Sequence, residues 1–206
     1  MFVINSYSQL AKYLPGGVWH FVSRAGYYQM KGLSLKATSR AMVIENIWLI
    51  LSAFFIGSLV LMFALAQQAI LAIVVCFVIW LIISYIILRW TTSTHNLIML
   101  IRLILLQLSI WLPLGLSYTM ILPINMTNNV LLISISGFII SWLVGYVTIF
   151  APGGIGTREI VLVAIMLLLL SPELSLFYAT LHRLLWVLNE LLLALIAFIF
   201  FRRLLK

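Results

Sequence analysis

Two stretches of this chain, residues 46–88 and 103–157, contain no Asp, Glu, Lys or Arg. One helical crossing of a bilayer takes about 20 residues. Each stretch therefore accommodates two crossings, with turns at Gln67-Gln68 in the first and from Pro123 to Asn129 in the second. Composition agrees, with 65% hydrophobic and 8% charged residues, against roughly 45–50% and 25% for a soluble globular domain. A soluble enzyme, a secreted disulfide scaffold and a disordered tail are excluded. So is a membrane β-barrel, whose strands would alternate polar and apolar residues over about ten positions. The fold class is an all-α polytopic membrane protein.

The cations say how the chain is oriented. Twelve Lys and Arg oppose four acidic residues, all Glu, for a net charge of +8. They flank apolar spans, which fits orientation and contact with anionic headgroups rather than nucleic acid. Lys31, Lys36 and Arg40, then Arg89 and Arg102, then Arg202, Arg203 and Lys206 form clusters, while the 67–68 and 123–129 turns carry no charge. The positive-inside rule puts all three clusters in the cytoplasm. The expected result is that reporter fusions or cysteine labelling find residue 206 and the 89–95 loop inside and the 123–129 loop outside. An external residue 206 would overturn the topology. Cys76 is the single cysteine and lies mid-span, so no intrachain disulfide forms. The first 15 residues lack the basic, apolar and small-residue regions of a signal peptide.

Glycine and proline divide the rest. Residues 1–14 read as a short amphipathic or partly inserted helix, broken by Pro15-Gly16-Gly17. A short helix over 18–31 ends at Gly32, and long spans follow at about 38–66, 69–88, 96–122 and 128–150. Pro152-Gly153-Gly154 precedes a second short helix over about 156–170, which Ser171-Pro172 stops. A last span covers about 174–201. The whole, 1–206, is one transmembrane domain of about five long helices and two short, broken or re-entrant ones. Each Pro-Gly-Gly leads into a short helix, a turn, and a long span in which an arginine precedes an asparagine by six residues, Arg40 and Asn46 in one, Arg183 and Asn189 in the other. This predicts an inverted repeat with halves at about 10–66 and 147–201, linked by spans within 69–146. The two short helices are expected to meet near the bundle centre, with their breaks facing opposite leaflets. Paired, interrupted hydrophobic segments of this kind mark binding sites in transporters.

The run Gly153-Gly154-Ile155-Gly156-Thr157-Arg158-Glu159 is the most informative stretch. Glycines before a helix let backbone approach a ligand, and the free N–H groups favour an anion. Arg158 can add a forked contact to a phosphate. Glu159 offers the opposing reading, because a carboxylate in a first helical turn satisfies the same dipole. The Lys-Ser/Thr of a nucleotide loop is missing, so no ATP site follows. In the first half His20, Arg24, Tyr28 and Lys31 fall near one helical face, which suits either a lipid phosphate or an interfacial surface. In the last span Arg183, Trp186 and Glu190 form one stripe and His182 and Asn189 its neighbour. Glu190, with Glu45 as its rough counterpart, is expected to be protonated or paired, with Arg183 or Arg158 as its candidate partners, since intramembrane charges face protein or a water cavity. Gly137 to Gly145 reads as a helix-packing seam. No metal-ligand spacing, cofactor motif or hydrolase triad occurs; His95 sits in a loop.

The Pro-Gly-Gly-Ile-Gly-Thr-Arg-Glu run, the short apolar helix after it and the arginine-bearing last span resemble the C-terminal hallmark of the lysylphosphatidylglycerol synthetase transmembrane-region family. Pro15, Gly16, Arg24, Gly32 and Glu45 are similar to that family's earlier block. The resemblance covers essentially the whole chain. It implies a stand-alone, flippase-like domain, N-terminally short and without the synthase domain, so aminoacyl transfer is not implied. What it implies is the handling of a phospholipid, of the aminoacyl-phospholipid class, or of an isoprenoid-linked lipid.

The leading expectation is a non-enzymatic lipid translocase of the inner, cytoplasmic membrane, multi-pass, with its C-terminus in the cytoplasm. Membrane lipids are its partners and no cofactor or nucleic acid is required. Arg158, Arg24 and Arg183, with Gly153, Gly154 and Gly156, are the candidate headgroup contacts. Glu159, Glu190, Glu45 and Asn189 are the candidate intramembrane charge partners. The alternatives are a non-transporting scaffold for a membrane-associated glycosyltransferase or synthase, and an integral membrane transferase, disfavoured for want of an acid/base pair.

Overall fold

A computed structural model describes residues 13, 19–65, 70–91, 97–125, 127–148 and 151–204. Its elements are α1 (Trp19–Met30), α2 (Leu35–Leu65), α3 (Ile70–Thr91), α4 (Leu97–Thr119), α5 (Asn128–Val147), a 3₁₀ turn (Pro152–Gly154), α6 (Thr157–Met166) and α7 (Pro172–Leu204). Five of them, α2, α3, α4, α5 and α7, are long and apolar enough to cross a membrane. The spans read from the sequence agree to within a few residues. The larger shift is in the second short helix, which ends at Met166 rather than near residue 170. Pro172 does not stop that helix but starts the next, where its missing N–H costs nothing. The Ser171 hydroxyl there accepts from Leu174 N at 3.4 Å. The Gln67-Gln68 turn, Pro15-Gly16-Gly17, His95 and the 1–14 helix, apart from Tyr13, lie outside the described residues.

The bundle is organised around α5. Thr127 caps it by accepting from Val130 N, and its residues from Ile133 to Ile139 are buried on every side. It runs antiparallel to α2: Asn46 of α2 accepts from Tyr146 Oη, and eleven residues on, Gly57 lies against Ile139 and Ile140. Trp111 of α4 is 1% exposed and donates from Nε1 to Ser52 Oγ at 2.8 Å, so its one polar atom is satisfied inside the core. Serines in the spans donate to their own helix, Ser136 to Ile133 O and Ser141 to Phe138 O, which lets hydroxyls sit in apolar surroundings. By contrast α3 buries the single stripe Trp80, Ser84 and Leu88, with Ile83 packed beside it, and most of its other apolar side chains are exposed as lipid-facing ones are.

The Gly137–Ser141–Gly145 stripe on α5 is the seat of α6. A methyl group on Gly137 would stand 3.0 Å from Ile165 Cγ2, and one on Gly145 would stand 3.0 Å from Arg158 Cβ. Later residues of α6 therefore meet earlier residues of α5, and the chain doubles back along the helix it has just left. A break at Pro152 followed by a short helix is what the Pro-Gly-Gly run predicts.

The expected meeting of the two short helices does not occur. Helix α1 packs on α2, whereas α6 packs on α5 and α7. None of the side chains of α1 is buried, because its apolar residues are interspersed with Ser23, Arg24, Gln29 and their polar neighbours. Nor do the two Arg/Asn pairs share an environment: Asn46 is bonded to Tyr146, but Arg40 and Asn189 are exposed.

Candidate functional site

Sequence order brings Arg158 to the bundle centre in three steps. The chain leaves α5 and turns through Gly153 and Gly154 at φ of +61° and +71°, the left-handed region that glycine enters without a Cβ penalty. Gly154 then crosses directly over Gly145, where a Cβ would meet the Gly145 carbonyl oxygen at 2.7 Å. That contact leaves α6 starting against the α5 glycine, so the Arg158 stem descends into space a larger residue 145 would fill.

Arg158 is 6% exposed. Its guanidinium carbon lies 4.7 Å from the centroid of the Phe138 ring and 4.9 Å from that of Trp186, within range for cation–π attraction from both. Nη2 is buried and has no hydrogen-bond partner among the described residues. An arginine held by rings, with a donor left over, is an unusual arrangement, since burying an unpaired charge is costly.

The neighbouring charges are committed elsewhere. Glu159 Oε2 accepts from Gly156 N at 2.6 Å, closing the first turn of α6 as a capping carboxylate does. Its Oε1 stands 3.5 Å from Arg183 Nε, and Arg183 Nη2 donates to the Gly153 carbonyl. Arg183 and Glu159 thus clamp the turn between α5 and α6. Glu190 accepts from Tyr13 Oη at 2.8 Å and from Trp186 Nε1 at 2.7 Å. The Tyr13 ring also lies below Arg183, 5.8 Å from its guanidinium carbon, and would be struck at 2.9 Å by a Cβ on Gly153. His182 is buried against Tyr118, Phe138 and Trp186. Its Nε2 lies 3.1 Å from Ser117 Oγ, and because that hydroxyl donates to Leu114 O at 2.6 Å, the imidazole is the donor between them.

The residues singled out in the sequence thus fall into two groups. Gly153, Gly154, Gly156, Arg158, Glu159, Arg183 and Glu190 surround the start of α6. Arg24 and Glu45 stand apart as a forked ion pair, Nη2 to Oε2 at 2.8 Å and Nη1 to Oε1 at 3.3 Å, on the Tyr146 side of α5. Both groups lie level with the same end of α5, beside Gly145 and Tyr146. The first break itself, Pro15-Gly16-Gly17, lies outside the described residues. Asn189 belongs to neither group. Phe138 and Tyr13 had no signal in the sequence, because nothing in spacing relates residue 138 or 13 to residues 158, 183 and 190. Trp186 was in the right stripe, yet its ring as a floor for Arg158 required the fold. No cluster of three or more metal-ligating side chains occurs among the described residues. Compared with family models, curated proteins and solved structures, the chain finds no match.

Proposed function

We propose that this chain is a lipid-handling membrane protein of the flippase-like class that receives the phosphate of a phospholipid or isoprenoid-linked headgroup at Arg158. One observation carries the reading: a guanidinium buried among membrane-spanning helices, framed by Phe138 and Trp186, with an unsatisfied Nη2 donor. Ionisable residues at membrane depth are rare and face protein or a water-filled cavity, which makes them the first candidates for a functional site. A phosphate oxygen supplies the missing acceptor at Nη2. The re-entrant turn that delivers Arg158 supports the same reading, since irregular backbone at membrane depth lines a binding cavity in transporters. The resemblance noted above points the same way. In this proposal the protein resides in the inner membrane with its C-terminus in the cytoplasm, and Arg183 and Glu159 position the turn rather than touch the lipid.

The test is transbilayer movement of acyl-labelled phospholipids in proteoliposomes, read by quenching of the outer leaflet. The wild-type protein should accelerate movement above protein-free vesicles. Arg158→Lys keeps the charge but loses the planar fork, and is expected to slow movement about tenfold with the melting temperature in detergent little changed. Movement no faster than in protein-free vesicles would defeat the reading.

A further inference from the structure

His182 links the surroundings of Arg158 to the outer surface of the bundle. It packs against the same two rings as the arginine, its centroid 5.0 Å from that of Phe138 and 6.1 Å from that of Trp186. On its other side Nε2 lies 3.1 Å from Ser117 Oγ, and Ser117 is an exposed residue of α4. This hydrogen bond joins α4 to α7 where their backbones are not closely packed. Among the helices, the α7 backbone runs closely beside α6 alone, and toward α4 and α5 the large side chains Tyr118, Phe138, His182 and Trp186 fill the space. The α4 wall is fixed on α5, since a Cβ on Gly115 would stand 3.0 Å from Ile135 Cα. The α7 wall is the one that can yield. Tyr118, next to Ser117, is 0% exposed, and its hydroxyl has no hydrogen-bond partner among the described residues. A buried phenol ordinarily finds one. Its ring stands edge-on to His182 at 5.4 Å and stacks on Phe138 at 6.4 Å. Two buried donors without acceptors, Tyr118 Oη and Arg158 Nη2, thus belong to side chains packed around one imidazole and one phenyl ring.

We propose that, if the centre takes a lipid headgroup at Arg158, the headgroup enters sideways from the bilayer between α4 and α7, and the Tyr118 hydroxyl is its second donor. The Ser117–His182 hydrogen bond is the latch on that entrance. Opening it withdraws the imidazole with α7, and a phosphate in the imidazole's place supplies the acceptors that Arg158 Nη2 and Tyr118 Oη lack. The acyl tails stay in the lipid that Ser117 faces. Ser117 keeps its own bond throughout, since its hydroxyl donates to Leu114 O at 2.6 Å. Breaking the latch therefore costs one hydrogen bond between membrane helices, a weak interaction. The inference rests on the lipid-handling reading and adds to it a route and a second contact.

The test is movement of acyl-labelled phosphatidylglycerol in proteoliposomes by a Cys76→Ala protein that carries Ser117→Cys as its one thiol. A bulky methanethiosulfonate reagent on that thiol fills the entrance and is expected to slow movement about tenfold or more relative to the unlabelled protein. Reduction, which removes the reagent, should restore the rate. The same reagent on Val75→Cys, on the exposed face of α3, should change nothing. In the otherwise native chain, Ser117→Ala removes the latch and should speed movement about three- to tenfold. Tyr118→Phe should slow movement about tenfold, the factor that one hydrogen bond to a charged group supplies. It should melt no lower than the wild type, because a buried hydroxyl without a partner holds nothing in the fold. Equal rates before and after labelling of Ser117→Cys overturn the lateral entrance, as does slower movement by Ser117→Ala or by unlabelled Ser117→Cys. A Tyr118→Phe protein that melts lower, or that moves lipid at the wild-type rate, overturns the second contact. Wild-type protein that moves no lipid defeats the lipid-handling reading itself. Wild-type movement that survives blocking of the entrance defeats this inference alone.

Discussion

Replacing Gly154 with alanine is expected to destabilise the bundle by about 2–5 kcal/mol, the sum of roughly 1–2 for a left-handed alanine and 1–3 for overpacking. The backbone there has φ +71°, and the new methyl group would stand 2.7 Å from the Gly145 carbonyl oxygen and 2.9 Å from Gly145 Cα. Neither atom is the end of a flexible side chain, so relief requires lifting α6 off α5. Gly156→Ala is the matched control. It sits at φ +87° and ψ −54° with nothing within 4 Å of its added methyl, so it should cost only the conformational part, about 1–3 kcal/mol. Denaturation of both variants in detergent, followed by loss of the monodisperse species, compares them directly. Equal losses would show that the crossing of Gly154 over Gly145 does not hold α6 in place. Because Arg158 enters on that crossing, the proposed lipid-handling function requires Gly154→Ala to abolish lipid movement in whatever fraction remains folded.

Arg183→Ala is expected to cost about 2–4 kcal/mol, somewhat below the 3–5 typical of a fully buried pair. The side chains of Arg183 and Glu159 are 11% and 17% exposed, so some screening by solvent remains. The loss has two parts: the donor to the Gly153 carbonyl and the counter-charge of Glu159. A double substitution separates them. Glu159→Gln retains an oxygen for Gly156 N while removing the charge, so Arg183→Ala with Glu159→Gln should recover the ionic part. About 1 kcal/mol should remain for the lost backbone hydrogen bond. If Arg183 served only to bind a ligand, Arg183→Ala would leave the melting transition unmoved, and no rescue could be seen. The contrast with Arg158→Lys is the useful one: one arginine holds the turn through a carbonyl and a carboxylate, the other rests on two ring faces that an ammonium also meets.

The long helices were legible because their cause is local. A chain carrying 55 consecutive residues without a charge, residues 103–157, must satisfy its backbone internally wherever lipid surrounds it, and the helix is the way a single segment does so. The break at Pro152 was legible for a related reason, since proline and consecutive glycines end a helix in any context. The seam was readable too: glycines at 137 and 145, with Ser141 between, leave a groove whichever helix comes to fill it. The pairing of charges was less legible. Arg183 was a candidate partner for Glu190, but it turns toward Gly153 and Glu159, and Tyr13 with Trp186 supplies donors to the carboxylate. The two short helices looked alike in sequence and pack differently, because α6 has a glycine groove to enter and α1 does not.

The amino-acid sequence by itself determined that this is a helical membrane protein with five spans, where its helices break, and that arginine and glutamate lie within those spans. These follow from the cost of exposing peptide groups and charges to lipid, which each segment meets on its own. Only the tertiary structure decided which charges meet. Arg158 lies between Phe138 and Trp186 because Gly154 passes over Gly145, and Glu190 meets Tyr13 from 177 residues away. Such contacts depend on the relative placement of whole helices, which is fixed by the fit of many side chains at once. A packed interior couples them all, so no spacing along the chain encodes the arginine's surroundings.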